Sequence, residues 1–238
     1  MNWVAAKFVP HLPSEVQRAN HLDVCCEMKD QLKTDPDFLS KIITGDESWC
    51  YRYDPETKQQ SSQWKSASSP RPKKARQVKS NVKTMLICFF DIKGLVHFEF
   101  VLQDQTVNQQ FYLEVLKRLR DAVRRKRPEL WWSGEWLLHN DYAPAHTALS
   151  VRQFLTKNGM TTDSHTPNPP DVVPCDFFLF PRMKRDFKGK RFQNVEKKEK
   201  TTEALKAITL QEFQNCFEQW KKRWDNCIDS QGEYFEGD

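Results

Sequence analysis

The chain has 238 residues, 38% of them apolar and 12% aromatic, with a formal net charge of +5. That is enough apolar material for one large domain, or one domain with an appendage, and a basic balance that suits a polyanionic partner without requiring one. Seven irregularly spaced cysteines with no Cys-x-x-Cys pair argue against a disulfide framework and a structural zinc site, and fit a reducing compartment. The first residues lack the long apolar core of a signal peptide, and no run of roughly 18 apolar residues suggests a membrane span.

Residues 1–13 read as irregular. Ser14-Glu15-Val16-Gln17 has capping-box form and predicts a helix to about Leu32, broken by Asp35-Pro36-Asp37. Strand-type residues run from Ile42 to Tyr53 around Gly45-Asp46. A stretch rich in Ser, Pro and basic residues follows, and reads as an exposed arm at about 59–80. Residues 82–90 and 95–101 form a hairpin pattern through Lys93-Gly94. Thr106-Val107-Asn108-Gln109 opens a helix whose apolar positions are Phe111, Val115, Leu116, Leu119 and Val123, stopped by Pro128. Trp136-Leu137-Leu138 reads as a strand, and residues 147–155 as a helix closed by Gly159. A short strand near Met160–Thr162 comes next. A helix opening at Asp176 follows, then two more at about 195–208 and 210–228. Three early strands followed by alternating helix and strand predict an α/β fold, a mixed sheet flanked by helices.

Three acidic positions fall at the edges of these elements: Asp46 in Thr44-Gly45-Asp46-Glu47, Asp141 after the fourth strand, and Asp176 in Pro174-Cys175-Asp176-Phe177-Phe178. If the first and fourth strands are neighbours, the side chains can converge. Several carboxylates without a His/Cys cluster suit a hard divalent cation, and two such ions suit phosphodiester cleavage. A lone Asp beside a turn is commonly just a cap, so the residue types alone leave both readings open. Asp171, in a Pro-rich loop five positions before Asp176, reads as a decoy.

Taken together, the motifs carry a resemblance. Thr44–Glu47, the His-x-Asp-x-Ala-Pro-Ala-His stretch at 139–146, and the segment at 174–180 resemble the catalytic domain of mariner-type transposases, with 34 residues between Asp141 and Asp176. Phe8–Leu12 resembles the family's linker motif, and Asp35–Leu39 a segment ahead of its first Asp. The resemblance implies an RNase H-like (retroviral-integrase superfamily) five-stranded mixed sheet. It further implies metal-dependent DNA cleavage and strand transfer, with Asp46, Asp141 and Asp176 holding two Mg²⁺ or Mn²⁺ ions. It places the protein in the nucleus, as a homodimer acting on transposon ends and target DNA. On this reading residues 1–40 are a linker and N-terminal helical segment, and 41–238 the catalytic domain. The helix-turn-helix DNA-reading module of full-length relatives is expected to be absent.

Glu47, His139, Tyr142 and His146 are the expected supports of the acidic site; Tyr142 stands where the family commonly has Asn. Lys73, Lys74 and Arg76 in the arm, and Arg124, Arg125, Lys126 and Arg127 at a helix end, are the candidate phosphate contacts. Their bland counterparts are a solvated loop and a helix end whose cations suit the macrodipole. The alternative function is a truncated or domesticated transposase-derived protein that binds DNA or a partner with weak or no transposition. A cellular nuclease with the same site is a third.

Overall fold

Successive side chains of a strand point to opposite faces of its sheet, and along Ile42–Tyr51 both directions end in packed helices. This strand, β1, is the centre of a five-stranded sheet in a computed structural model. The structure describes residues 13–56, 61–66, 68–70, 72–75, 77–102, 105–141, 143–162 and 171–235. The strands β2 (Lys83–Asp91), β3 (Gly94–Phe100), β4 (Leu137–His139) and β5 (Thr161–Thr162) complete it in the order β3-β2-β1-β4-β5. The first three strands meander antiparallel, while β4 and β5 add in parallel. The sheet is therefore mixed, as the element order predicted.

One face carries Ile42, Cys50, Leu86, Cys88 and Phe90 beneath α1 (Glu15–Thr34), α5 (Phe180–Lys184), α6 (Asn194–Lys206) and α7 (Leu210–Asp229). The heaviest packing comes from α7, whose Phe213, Phe217, Trp220 and Trp224 are all buried. At the far end of this layer α1 adds Val24, Cys25 and Met28. Its capping box closes as expected, Ser14 N–H donating to Gln17 Oε1 at 2.8 Å and Gln17 N–H to Ser14 Oγ at 3.3 Å. The other face carries Ile43, Ile87, Phe89 and Leu138 beneath α2 (Gln109–Lys126), α3 (Pro128–Ser133) and α4 (Leu149–Lys157).

Two details of α2 differ from expectation. Its cap is Asn108, which accepts from the Phe111 amide at 3.0 Å, so Thr106 lies outside the helix. Its inward aromatic is Tyr112, with Phe111 only half-buried. Pro128 stops α2, which ends at Lys126, as expected, but a second helix follows at once. The proline opens α3 at the first-turn position, where a missing N–H costs nothing.

Two glycines are dictated by geometry. Gly94 starts β3 at φ 116°, which the tight turn from β2 requires. Gly45 lies opposite Phe89 in the β1–β2 register, and a Cβ there would sit 2.1 Å from Phe89 Cδ1. The phenyl ring occupies the space over the glycine, which fixes the strand one residue before Asp46.

Candidate active site

Register brings Asp46 and Asp141 together. Parallel pairing of β1 with β4 ends at Thr44 opposite His139, and each strand offers its aspartate two residues further on. Asp46 thus lies mid-β1, beside the carboxyl end of its parallel neighbour β4, the end at which open α/β sheets present ligand groups. Asp176 arrives from the helical layer. Residues Cys175–Leu179 form a π-helical turn, with the Phe180 amide reaching back to Cys175 O, and run directly into α5. Such turns carry one extra residue and recur at functional sites.

The three carboxyls feel one another. Burial, followed by the charge of Asp176 and then those of Glu47 and Asp141, pushes Asp46 up to about 8, although the Glu47 amide donates to it at 2.7 Å. Burial also pushes Asp176 up, opposed by Lys184 and reinforced by Asp141. Carboxylates that hold each other's protons on are a donor set that a divalent cation would relieve, so the residues present fit a hard metal.

Strand alternation puts Glu47 on the opposite face from Asp46, under α2. There His146 bridges two acids. Its Nδ1 lies 2.5 Å from Asp141 Oδ1 and its Nε2 3.4 Å from Glu47 Oε1. The ring stacks on Tyr112 with centroids 3.8 Å apart and planes 28° off parallel. Burial alone would lower the imidazole pKa, but hydrogen bonds and charge from the two carboxylates outweigh it and raise it to about 10. It is an imidazolium at neutral pH, a donor on both nitrogens. Burial likewise pushes Asp141 up, and the His146 hydrogen bond and charge, with the Ala143 amide, bring it below the usual carboxylate range. Oxygen and nitrogen atoms of Glu47, Asp141 and His146 all lie within 4.8 Å of one another. Asp141 is thus shared between Asp46 and Asp176 on one side and His146 on the other.

The fold and motifs agree with known proteins. A family model described as transposase (partial DDE domain) matches residues 54–133. The Mariner Mos1 transposase of Drosophila mauritiana is 30% identical over 232 residues, covering 97% of this chain and 66% of that protein. A crystal structure of the mariner Mos1 paired end complex with Mg superposes with a TM-score of 0.86 at 30% identity, over 99% of this chain and 68% of that one. The chain belongs to the mariner transposase family. Its sheet and flanking helices also match the isolated Mos1 catalytic domain, with a TM-score of 0.78 at 28% identity over 96% of this chain and all of that one. The fold is therefore RNase H-like. The chain spans 66% of the length of the Mos1 transposase.

The remaining expected residues of this mariner-family chain divide. His139 is buried, its ring 5.0 Å edge-on to Trp220, so it packs the α7 layer. Tyr142, Arg76, the Phe8–Leu12 motif and the Pro167–Pro170 loop lie outside the described residues. Asp171 is buried away from the acidic site, accepting from the Phe235 amide at 3.3 Å, as its decoy reading required. In the arm, Lys73 and Lys74 are exposed, and Lys74 pairs with Glu56 at 2.5 Å. Arg124 and Arg125 are exposed on α2, the former 3.4 Å from Asp121.

Arg127 is a correction. It is buried, with Nε 2.5 Å from Asp91 Oδ2 and Nη2 2.8 Å from Oδ1, and donates also to Gly94 O. Such a guanidinium staples α2 to the β2–β3 turn and has no face for DNA. Lys126 is similarly engaged, its ammonium donating to Val96 O at 2.7 Å. Sequence reasoning missed Tyr112, and Asn140, whose amide donates to the Tyr112 hydroxyl at 2.9 Å. It also missed Lys184, which donates to Ser48 Oγ at 2.6 Å. The signals were present: Tyr112 lies on the apolar stripe of α2, and Ser48 is two residues past Asp46 on one face of a strand.

Proposed function

We propose that this chain is a mariner-type catalytic domain that cuts and joins DNA strands, with Asp46, Asp141 and Asp176 as the catalytic and metal-holding residues. The observation that carries the reading is the approach of two half-buried carboxyls, Asp46 in mid-β1 and Asp176 in the turn before α5, to the more exposed Asp141 just past β4, with the charges of Asp176 and Asp141 acting on Asp46 and that of Asp141 on Asp176. Two Mg²⁺ or Mn²⁺ ions, when bound, supply activation of the attacking water or 3′-hydroxyl and stabilisation of the leaving oxygen.

The chain's own groups do the rest. Asp46 and Asp176 supply anionic oxygens from a β-strand and a helical turn, so their separation is set by packed elements. Asp141 offers one oxygen to the same space while His146 holds the other, fixing the carboxylate's rotation. Glu47 and Tyr112 in turn hold the imidazolium, which keeps its Nδ1 proton aimed at Asp141. No covalent enzyme intermediate is needed, because water and then a DNA 3′-hydroxyl are themselves the nucleophiles that attack phosphorus.

DNA as substrate, a homodimeric assembly and a nuclear location belong to the same proposal, as does the division into residues 1–40 and a catalytic domain at 41–238. Support comes from the Mos1 paired end complex to which the chain is similar. The test is nicking of supercoiled and linear DNA by the purified chain with Mg²⁺ or Mn²⁺, beside Asp141→Asn. Cutting by the parent that the variant lacks is expected. Equal inactivity with retained salt-sensitive DNA binding rejects the enzyme and leaves a transposase-derived binding protein.

A further inference from the structure

Two turns beyond Asp176, the end of α5 turns a lysine inward. Lys184 Nζ donates to Ser48 Oγ at 2.6 Å, on the same face of β1 as Asp46, and lies 5.6 Å from the Phe180 ring centre. From α6, Lys197 is only 6% exposed, with its ammonium 3.8 Å from the Phe187 ring centre and 4.8 Å from that of Phe192. Both lysines line one cleft with Trp49, Cys50, Asp54 and Phe187.

The charges in this cleft do not balance. Among the described residues no carboxylate ion-pairs with either ammonium. The charge of Asp54 reaches both, but its carboxylate lies 3.8 Å from Lys79, and the charge of Lys79 in turn bears on Lys184. Three ammoniums therefore face two carboxylates, Asp54 and Asp176, and neither is ion-paired with Lys184 or Lys197. Burial holds Lys184 below the usual lysine range, and Lys197 at about 8. A buried charge without a partner costs several kcal/mol, and folded chains retain one where a ligand completes it. Lysine, a compact point charge, suits a phosphate. The cleft adjoins the acidic site, since Lys184 lies within electrostatic reach of Asp176.

We propose that Lys184 and Lys197 form a subsite for a backbone phosphate of the DNA strand, beside the phosphodiester positioned at Asp46 and Asp176. The identity of the anion as DNA rests on the function proposed above; the pocket itself does not. A cluster of carboxylates repels the polyanion it must cut, and two cations on the same face offset that repulsion at the next step along the strand.

The test is fluorescence anisotropy of a dye-labelled duplex titrated with the full chain in EDTA, from 50 to 200 mM KCl. The parent is compared with Lys184→Gln and with Lys197→Met, which keeps the apolar stem over the two phenyl rings. Each substitution is expected to lower the slope of log affinity against log salt by about 0.9, one phosphate contact, and Lys184→Arg to retain it. Inorganic phosphate at matched ionic strength is expected to leave the DNA bound. An unchanged slope in both variants, with cooperative melting retained, overturns the subsite, as does a parent without salt-dependent binding. Should Lys197→Met fail to fold, Lys184→Gln decides alone. A Lys184-dependent rise in melting temperature on adding inorganic phosphate, in a parent whose DNA salt slope is the same with and without the two lysines, overturns the DNA assignment. Loss of slope in the lysine variants of a parent that never nicks DNA rejects the cutting activity and leaves the phosphate subsite standing.

Discussion

Adjacent residues of β1 place acids on opposite faces of the sheet, and the two faces treat charge differently. Under α2 these acids meet partners within the chain: Glu47 and Asp141 share His146, Asp91 is clasped by Arg127, and Glu99 of β3 lies against Arg118 of α2. Under α5, Asp46 and Asp176 face one another with no cation in hydrogen-bond reach among the described residues, and Lys184 and Lys197 lie nearby without a carboxylate of their own. Paired charges hold a fold together; unpaired ones of both signs side by side are stabilised only by what binds there. On the proposed function the face under α5, joined at its edge by Asp141, is the working surface, and the paired charges under α2 support it.

Substitutions on the two faces should have opposite signatures. The largest effect is expected from Asp176→Asn, which should cut the rate of metal-dependent DNA nicking by about 10³-fold, several kcal/mol of transition-state stabilisation. In chelator the same variant should melt higher than the parent, because a partly buried charge has been removed; a lower melting temperature would break the distinction between the faces. Arg127→Ala is the mirror case. It leaves Asp91 buried and unpaired, and urea denaturation should register a loss of about 3–5 kcal/mol with no change in the salt dependence of DNA binding. A reduced salt slope would return Arg127 to the DNA-contact set.

His146→Ala removes both the bridge between two acids and the stack on Tyr112, and should cost about 2 kcal/mol in the same assay. Gly45→Ala tests the strand between the faces. Its new methyl group meets the Phe89 ring, and overpacking of this kind costs about 1–3 kcal/mol.

The smallest effect concerns Glu99. Burial pushes its carboxyl up, but His97, 3.5 Å away, and the Arg118 guanidinium that donates to it bring it down from the ordinary 4.5 to about 2. A carboxyl depressed in the folded state contributes stability that is complete above the unfolded value and is lost as pH falls towards the folded one. Glu99→Gln should therefore flatten the acid side of the stability curve between pH 4.5 and about 2. It should leave the curve's shape above pH 5 unchanged, as thermal melts across pH will show.

Much of this architecture is legible in the sequence because it follows from local chemistry. The Ser14–Gln17 box, the Lys93-Gly94 turn and the alternation around Asp46 each specify their own element, and the element order left few sheet topologies. The adjacency of β1 and β4, which unites Asp46 with Asp141, was one of the arrangements that order allows. What escaped depends on contacts distant in sequence. Arg127 reads as one of four basic residues at a helix end, and only the turn 36 residues earlier, with Asp91, makes it a buried staple. Tyr112 reads as one more apolar position until Asn140 and His146 come to lie against it. The lysines of α5 and α6 look like ordinary solvated cations, because Phe187 and Phe192 close over Lys197, and Ser48 of β1 meets Lys184, only in the folded chain.

The π-helical turn at Cys175–Leu179 bears on how the interval between Asp141 and Asp176 is to be counted. The interval does not merely set a tether length. It delivers Asp176 into a turn wound one residue looser than an α-helix, and the angular position of the carboxylate depends on that slack. Deleting a single residue inside the turn would let it tighten into ordinary helix. Each residue turns a helix by about 100°, so the acid would rotate out of the site while the apolar residues after it stayed close to their places. Length changes in this segment should thus behave like a combination lock, in which one click leaves the housing intact and the mechanism disengaged.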